Sequence, residues 1–148
     1  MKKEVRTILQ NQPVWINDTE VQLVLPAKHL GPVGPFILLD HISSWRQSSN
    51  KTASDSPGKC PVPHRGVITV TYIIKGQIEH SDSRGNHVSL EAGCMQWLNA
   101  GSGIVCDQDI KPAFKQGETE ISVIRAWINP PANQKLHPPE YVSLCHDE

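Results

Sequence analysis

A chain of 148 residues with a formal charge of −1, 38% apolar and 20% charged residues, is long enough to bury its own core and falls outside the disordered range. The near-neutral balance gives no electrostatic footprint for nucleic acid or an anionic membrane, and no apolar run nears the roughly 18 to 20 residues of a spanning helix. Twelve prolines and ten glycines argue for many turns and against long helices.

In chain order, alternating β-branched residues predict strands over residues 5–9 and 21–25. Residues 36–40, a short apolar run after Gly34-Pro35, read as a buried strand. Residues 46–61 are rich in Ser, Asn, Lys, Asp, Pro and Gly and read as one long loop. Residues 66–74 give the strongest strand signal in the chain. Lys75-Gly76 turns it, and residues 77–81 pair back. Residues 82–86, with Gly85-Asn86, suit the positive φ of a hairpin turn, from which residues 87–90 return. Ala92-Gly93 leads into a strand over 95–98, and residues 100–103 turn into a strand over 104–106. A loop through Pro112 and Gly117 precedes a strand over 121–129, which Pro130-Pro131 ends. The tail is expected to be irregular but docked. No amphipathic helix and no fixed-period repeat is present, so many short strands at close spacing predict an all-β antiparallel sandwich or barrel.

The first residues carry lysines, but residues 5–12 mix polar with apolar and form no signal-peptide core, so a cytoplasmic protein is expected. Cys60, Cys94, Cys106 and Cys145 lie far apart with no CxxC spacing, and in a reducing compartment free thiols are expected.

Five segments in order carry a family resemblance. They are Gly34-Pro35-Phe36-Ile37-Leu38-Leu39-Asp40-His41, then Pro63-His64-Arg65-Gly66 with Thr69-Val70-Thr71-Tyr72, then residues 79–86 after Gly76. Residues 96–104 (QWLNAGSGI) and 126–131 (AWINPP), with Pro139-Glu140-Tyr141, complete the set. Together they resemble the N-terminal half of the pirin family of cupins. The resemblance covers residues 33–143 and implies a single cupin domain over 1–148, a jelly-roll or double-stranded β-helix barrel, with no chain left for a second cupin domain.

The resemblance also implies a metal site in the barrel mouth, held by three histidines and a carboxylate, a set that suits Fe, Mn or Ni. The first pair is one residue apart on a strand, because alternate side chains share a face. Carried over, the positions are Val62, His64, Cys106 and Gln108, with Thr69 where cupins more widely use a Glu. Only His64 is a strong ligand of the family set. Val62 cannot coordinate, Gln108 has no charge, and Cys106 needs its thiolate stabilised. His64 is then expected to hydrogen-bond inside the barrel. His80, His87 and Cys94, recruited with His64, form an alternative ligand cluster, weighed against structural roles for each.

Other residues are read as follows. Cys106 opposite His64 has the makings of a nucleophile pair, but Asp107 and Asp109 beside it raise a thiol pKa, and an inert buried thiol is the plainer reading. Trp97 and Trp127 are expected to fill the core, Trp45 to cover an edge or pocket, and Arg65 to make a structural ion pair on the face opposite His64.

Pirins are described as iron-binding nuclear cofactors, and some bacterial relatives as quercetin 2,3-dioxygenases; both roles need the metal. The expectation is therefore a non-catalytic binding module without a cofactor, taking an apolar or aromatic small molecule in a cavity lined by Val62, His64, Thr69, Cys106 and Gln108, or a protein partner at its surface. The alternative is a quercetinase-like dioxygenase whose rebuilt site (His64, Cys106, Gln108) holds one divalent transition metal, Fe, Ni or Zn. A lone N-terminal domain bares the surface its sister domain would cover, so a homodimer is expected.

Overall fold

The computed structural model describes residues 8, 13–16, 19–27, 30, 33–45, 61–111, 113–115 and 118–145. The strand expected over 5–9 lies outside these residues save for Ile8, as does the expected loop 46–61 save for Pro61.

The described residues form thirteen strands and one turn of 3-10 helix. The strands are β1 (Pro13–Ile16), β2 (Thr19–Leu25), β3 (Phe36–Trp45), β4 (Val62–His64), β5 (Ile68–Lys75), β6 (Gln77–Asp82), β7 (His87–Glu91), β8 (Met95–Asn99), β9 (Ile104–Lys111), β10 (Ala113–Lys115), β11 (Glu118–Glu120), β12 (Ser122–Ile128) and β13 (Glu140–Leu144). One sheet runs β1-β2-β3-β12-β5-β8-β13 and a second runs β4-β9-β6-β7, with every pairing antiparallel. The two face each other as an all-β cupin barrel.

Register explains the interior as three layers across the large sheet. Val21, Ile42, Val123 and Ile73 are aligned neighbours, and with Ile78 and Leu90 of the opposite sheet they make a fully apolar floor. Burying each such side chain contributes about 1.5–3 kcal/mol. The next layer is polar: Asp40, Arg125, Thr71 and Gln96 stand side by side across β3, β12, β5 and β8. The third holds Leu38, Trp127, Thr69, Leu98 and Tyr141. Strand alternation imposes this stacking: each layer is two residues along every strand from the last.

Turn chemistry sets the β6–β7 hairpin. The Asp82 carboxylate accepts from the backbone N–H of Arg84 and Asn86 at 2.9 and 3.1 Å, and Gly85 takes φ 90°. Gly101 (φ 47°) is constrained more tightly. A Cβ there would lie 2.0 Å from the His137 carbonyl oxygen, so only glycine lets the C-terminal segment cross.

Several expectations need correction. β9 runs on to Lys111, where a loop was expected after residue 106, because β6 offers it a full ladder from Asp82↔Cys106 to Gln77↔Lys111. The β10–β11 hairpin follows instead of a plain loop. The tail is not irregular: after the 3-10 turn, β13 pairs along the whole of β8. Cys94 and Cys145 are not free thiols but a disulfide, because β13 brings position 145 beside the start of β8. Trp97 faces outward, 36% exposed, since Gln96 and Leu98 take the inward parity of β8. Arg65 is exposed and makes no ion pair among the described residues. Trp45 lies at the end of β3, and its side chain is outside what the structure describes. Among the described residues no helix is long and apolar enough to cross a membrane.

Candidate functional site

β4, β9, β5 and β12 converge on a cavity of about 200 Å3 at one end of the barrel. Val62 and His64 share a face of β4, and Val62 stands directly opposite Cys106 on β9. Two residues further along β9, Gln108 takes the same face, and β5 contributes Thr69. The structure therefore brings together all five residues that the sequence placed in the cavity.

Sequence reasoning missed four more. Thr71 follows Thr69 by parity, and Ile110 follows Gln108. Trp127 was expected to fill the core; it is instead a wall of the cavity, its indole edge-on to the His64 ring at 5.4 Å and 87°. The imidazole thus packs against an aromatic edge rather than hydrogen-bonding inside the barrel, and no hydrogen bond to it is made among the described residues. Arg125 also lines the cavity, and Asp40 grips it from behind: Nε donates to Oδ1 at 2.9 Å and Nη2 to Oδ2 at 2.6 Å. The signal for this pair is a lone arginine at inward parity within the apolar strand SVIRAWI, matched by a lone aspartate in FILLDHI.

Electrostatics leave the cavity uncharged. Burial lowers the His64 pKa, so its imidazole is neutral at pH 7. Burial, and then the Asp82 carboxylate across the β6–β9 ladder, push the Cys106 thiol up to about 11. Asp107 and Asp109 are not the cause. The bidentate carboxylate of Asp40 offsets the charge of Arg125.

Behind Cys106 lies a buried polar cluster. His80 is 2% exposed, its Nε2 sits 3.2 Å from Asp82 Oδ2, and its ring stacks on Tyr141 at 4.4 Å. Burial works against the Asp82 carboxylate. Hydrogen bonds from the Asn86 side chain, His80 and the turn backbone outweigh it and hold the pKa below its usual value. The Tyr141 hydroxyl is pushed up to about 12, by burial first and then by Asp82 and Cys106, and donates to Gln96 Oε1 at 3.4 Å. Thr69 Oγ1, His80 Nδ1 and Gln96 Nε2 are buried without partners among the described residues.

The arrangement rules on two candidates. No hydrogen bond joins His64 to Cys106 among the described residues, and the thiol is held protonated, so the pair is not an activated nucleophile. The alternative ligand cluster does not assemble: Cys94 is in a disulfide, His87 is exposed, and His80 is committed to Asp82 and Tyr141. Among the described residues no group of three or more His, Cys, Asp or Glu side chains is placed to hold an ion.

Comparison with known proteins adds the family context. A family model described as Pirin matches residues 18–128. A Pseudomonas aeruginosa protein named "Putative quercetin 2,3-dioxygenase" is 31% identical over 132 residues, 88% of this chain and 45% of that protein. A Caulobacter vibrioides "Pirin-like protein" is 37% identical over 108 residues, 72% of this chain and 36% of that protein. The structure of GK1651 from Geobacillus kaustophilus superposes with a TM-score of 0.74 at 27% identity, over 98% of this chain and 53% of that one. The Escherichia coli bacterial pirin YhhW, solved in complex with nickel(II), shares the fold at TM-score 0.68 and 19% identity, over 91% of this chain and 54% of that one. The chain spans about half the length, or less, of the curated relatives it matches.

Proposed function

This chain belongs to the pirin family, and from that premise we propose that its barrel mouth is a binding site for a small apolar or aromatic molecule rather than a metal-dependent catalytic centre. The observation that carries this reading is the donor set around the cavity. Of the residues at the family's ligand positions, His64 alone is a ready ligand; Val62 is aliphatic, Gln108 is an uncharged carboxamide, and the Cys106 thiol holds its proton up to about pH 11. A transition ion needs three or four good donors, and these residues do not fit one. Val62 and Trp127 meanwhile give the cavity apolar walls suited to an aliphatic or aromatic group.

The relatives' names favour a second reading, a dioxygenase acting on a quercetin-like substrate with Fe, Ni or Zn held by His64, Cys106 and Gln108. Elemental analysis of purified protein separates the two. Essentially no metal supports the binding module; near-stoichiometric iron, nickel or zinc overturns it. Replacing Val62→His, Cys106→His and Gln108→Glu together is expected to create metal binding, since the three positions already face one cavity with His64.

We also propose a homodimer through the outer face of the large sheet. Ile124, Tyr72, Met95 and Leu144 form one aligned row across β12, β5, β8 and β13, and Ala126, Val70, Trp97 and Val142 form the next. Neither row contains a charge, and Tyr72, Trp97, Ile124, Val142 and Leu144 are all exposed. An uncharged apolar face meets no like-charge repulsion when it packs on its own copy under two-fold symmetry, which supports a second copy as its occupant. A strict monomer by sedimentation at micromolar concentration would refute this.

A further inference from the structure

Resting on the binding-module reading, we propose that the cavity selects a neutral, single-ring aromatic molecule bearing a hydroxyl group. Size is the first argument. Pockets that take drug-sized ligands run to roughly 300–1,000 Å3, whereas this cavity has about 200 Å3. One substituted ring fills it, and a three-ring flavonol does not.

Charge is the second. Among the described residues Arg125 is the only lining residue with a formal charge at pH 7, and both its Nε and Nη2 donate to Asp40. The remaining polar groups are neutral. A carboxylate or phosphate entering here would lose its water without gaining an unpaired cation, which disfavours it. A neutral ligand avoids that cost.

Free hydrogen-bonding capacity is the third. The Gln108 carboxamide and the His64 imidazole line the cavity, and neither has a hydrogen-bond partner among the described residues. Each can both donate and accept when neutral, so the pair suits a hydroxyl, which does the same. Val62, Ile110 and the Trp127 indole leave the rest of the surface to an apolar ring.

Titration calorimetry of the full chain with p-cresol, toluene and p-toluate tests the proposal, because these probes share one shape and differ in their polar group. The expected order is p-cresol tightest, toluene weaker and p-toluate weakest. Gln108→Leu is expected to weaken p-cresol by roughly 2- to 12-fold, the loss of one hydrogen bond, without weakening toluene, so that the preference for p-cresol over toluene narrows. Equal binding of p-cresol and toluene, tighter binding of p-toluate, or quercetin outcompeting p-cresol each overturn this ligand class while leaving a binding cavity in place. No binding by any of these probes up to their solubility limits overturns the binding-module reading as well. The wild-type ranking stands as a test even where the variant fails to fold.

Discussion

Removing the Cys94–Cys145 disulfide should destabilise the fold by a calculable amount. The bond spans 51 residues. In the chain-entropy treatment a loop of that length takes about 14 cal/mol/K from the unfolded chain, or about 4 kcal/mol at 25 °C. Its position makes most of that effect available. Cys94 is packed in the apolar floor, where its backbone is fixed by hydrogen bonds to Ile73 and Glu91, and Cys145 follows β13, an edge strand whose one strand partner among the described residues is β8. Near 150 residues, 1 kcal/mol corresponds to about 2–4 °C, so the Cys94→Ser, Cys145→Ser double variant should melt about 8–16 °C below the oxidised protein. Thermal melts by circular dichroism, with and without a phosphine reductant, give the comparison. The reductant should lower the wild-type melting temperature to that of the variant and leave the variant unmoved. A wild type whose melting temperature moves by less than about 2 °C on full reduction, with thiols verified by titration, would refute the argument that β13 depends on this cross-link.

Three further outcomes are expected. Gly101→Ala should cost about 2–5 kcal/mol in urea unfolding, because its Cβ meets the His137 carbonyl at 2.0 Å, whereas Gly34→Ala, with open space around it, should cost only about 1–2 kcal/mol; equal costs would refute the steric argument. Asp40→Asn should cost about 2–3 kcal/mol, toward the lower end for a broken buried pair because Arg125 is 30% exposed, and an unchanged denaturation midpoint would count against the clamp. The raised pKa values of Cys106 and Tyr141 mean that the folded state holds their protons more tightly, so their contribution is complete below about pH 9 and is lost as pH rises toward 11 and 12. Chemical unfolding at pH 8 and pH 11 should show that loss, and Cys106→Ala should reduce it.

Much of the fold was legible because strands write themselves as period-2 patterns. Strands β5 to β9 and the 82–86 hairpin followed from local alternation and turn chemistry, but β6 does not pair back on β5 as expected: it joins β7 and β9 in the other sheet, and the five cavity positions came from the family resemblance. Residues read by the same logic but without a strong apolar signal were missed. The polar stretch Asp107-Gln108-Asp109 in β9 is strand because β6 offers it hydrogen-bond partners, and β13 is strand because β8 has a free edge. Such pairing is set by a neighbour distant in sequence.

The sequence by itself determined that this chain is built of short strands in an all-β barrel, since strand parity is a local property, and its resemblance to a family pattern pointed to Val62, His64, Thr69, Cys106 and Gln108 as the residues of the mouth. Only the tertiary structure decided that Cys94 meets Cys145, that Arg125 is held by Asp40, and that Trp127 faces the cavity while Trp97 faces out. Each of those depends on which strands lie side by side and in what register. That choice comes from burying a common core, and no single segment encodes it.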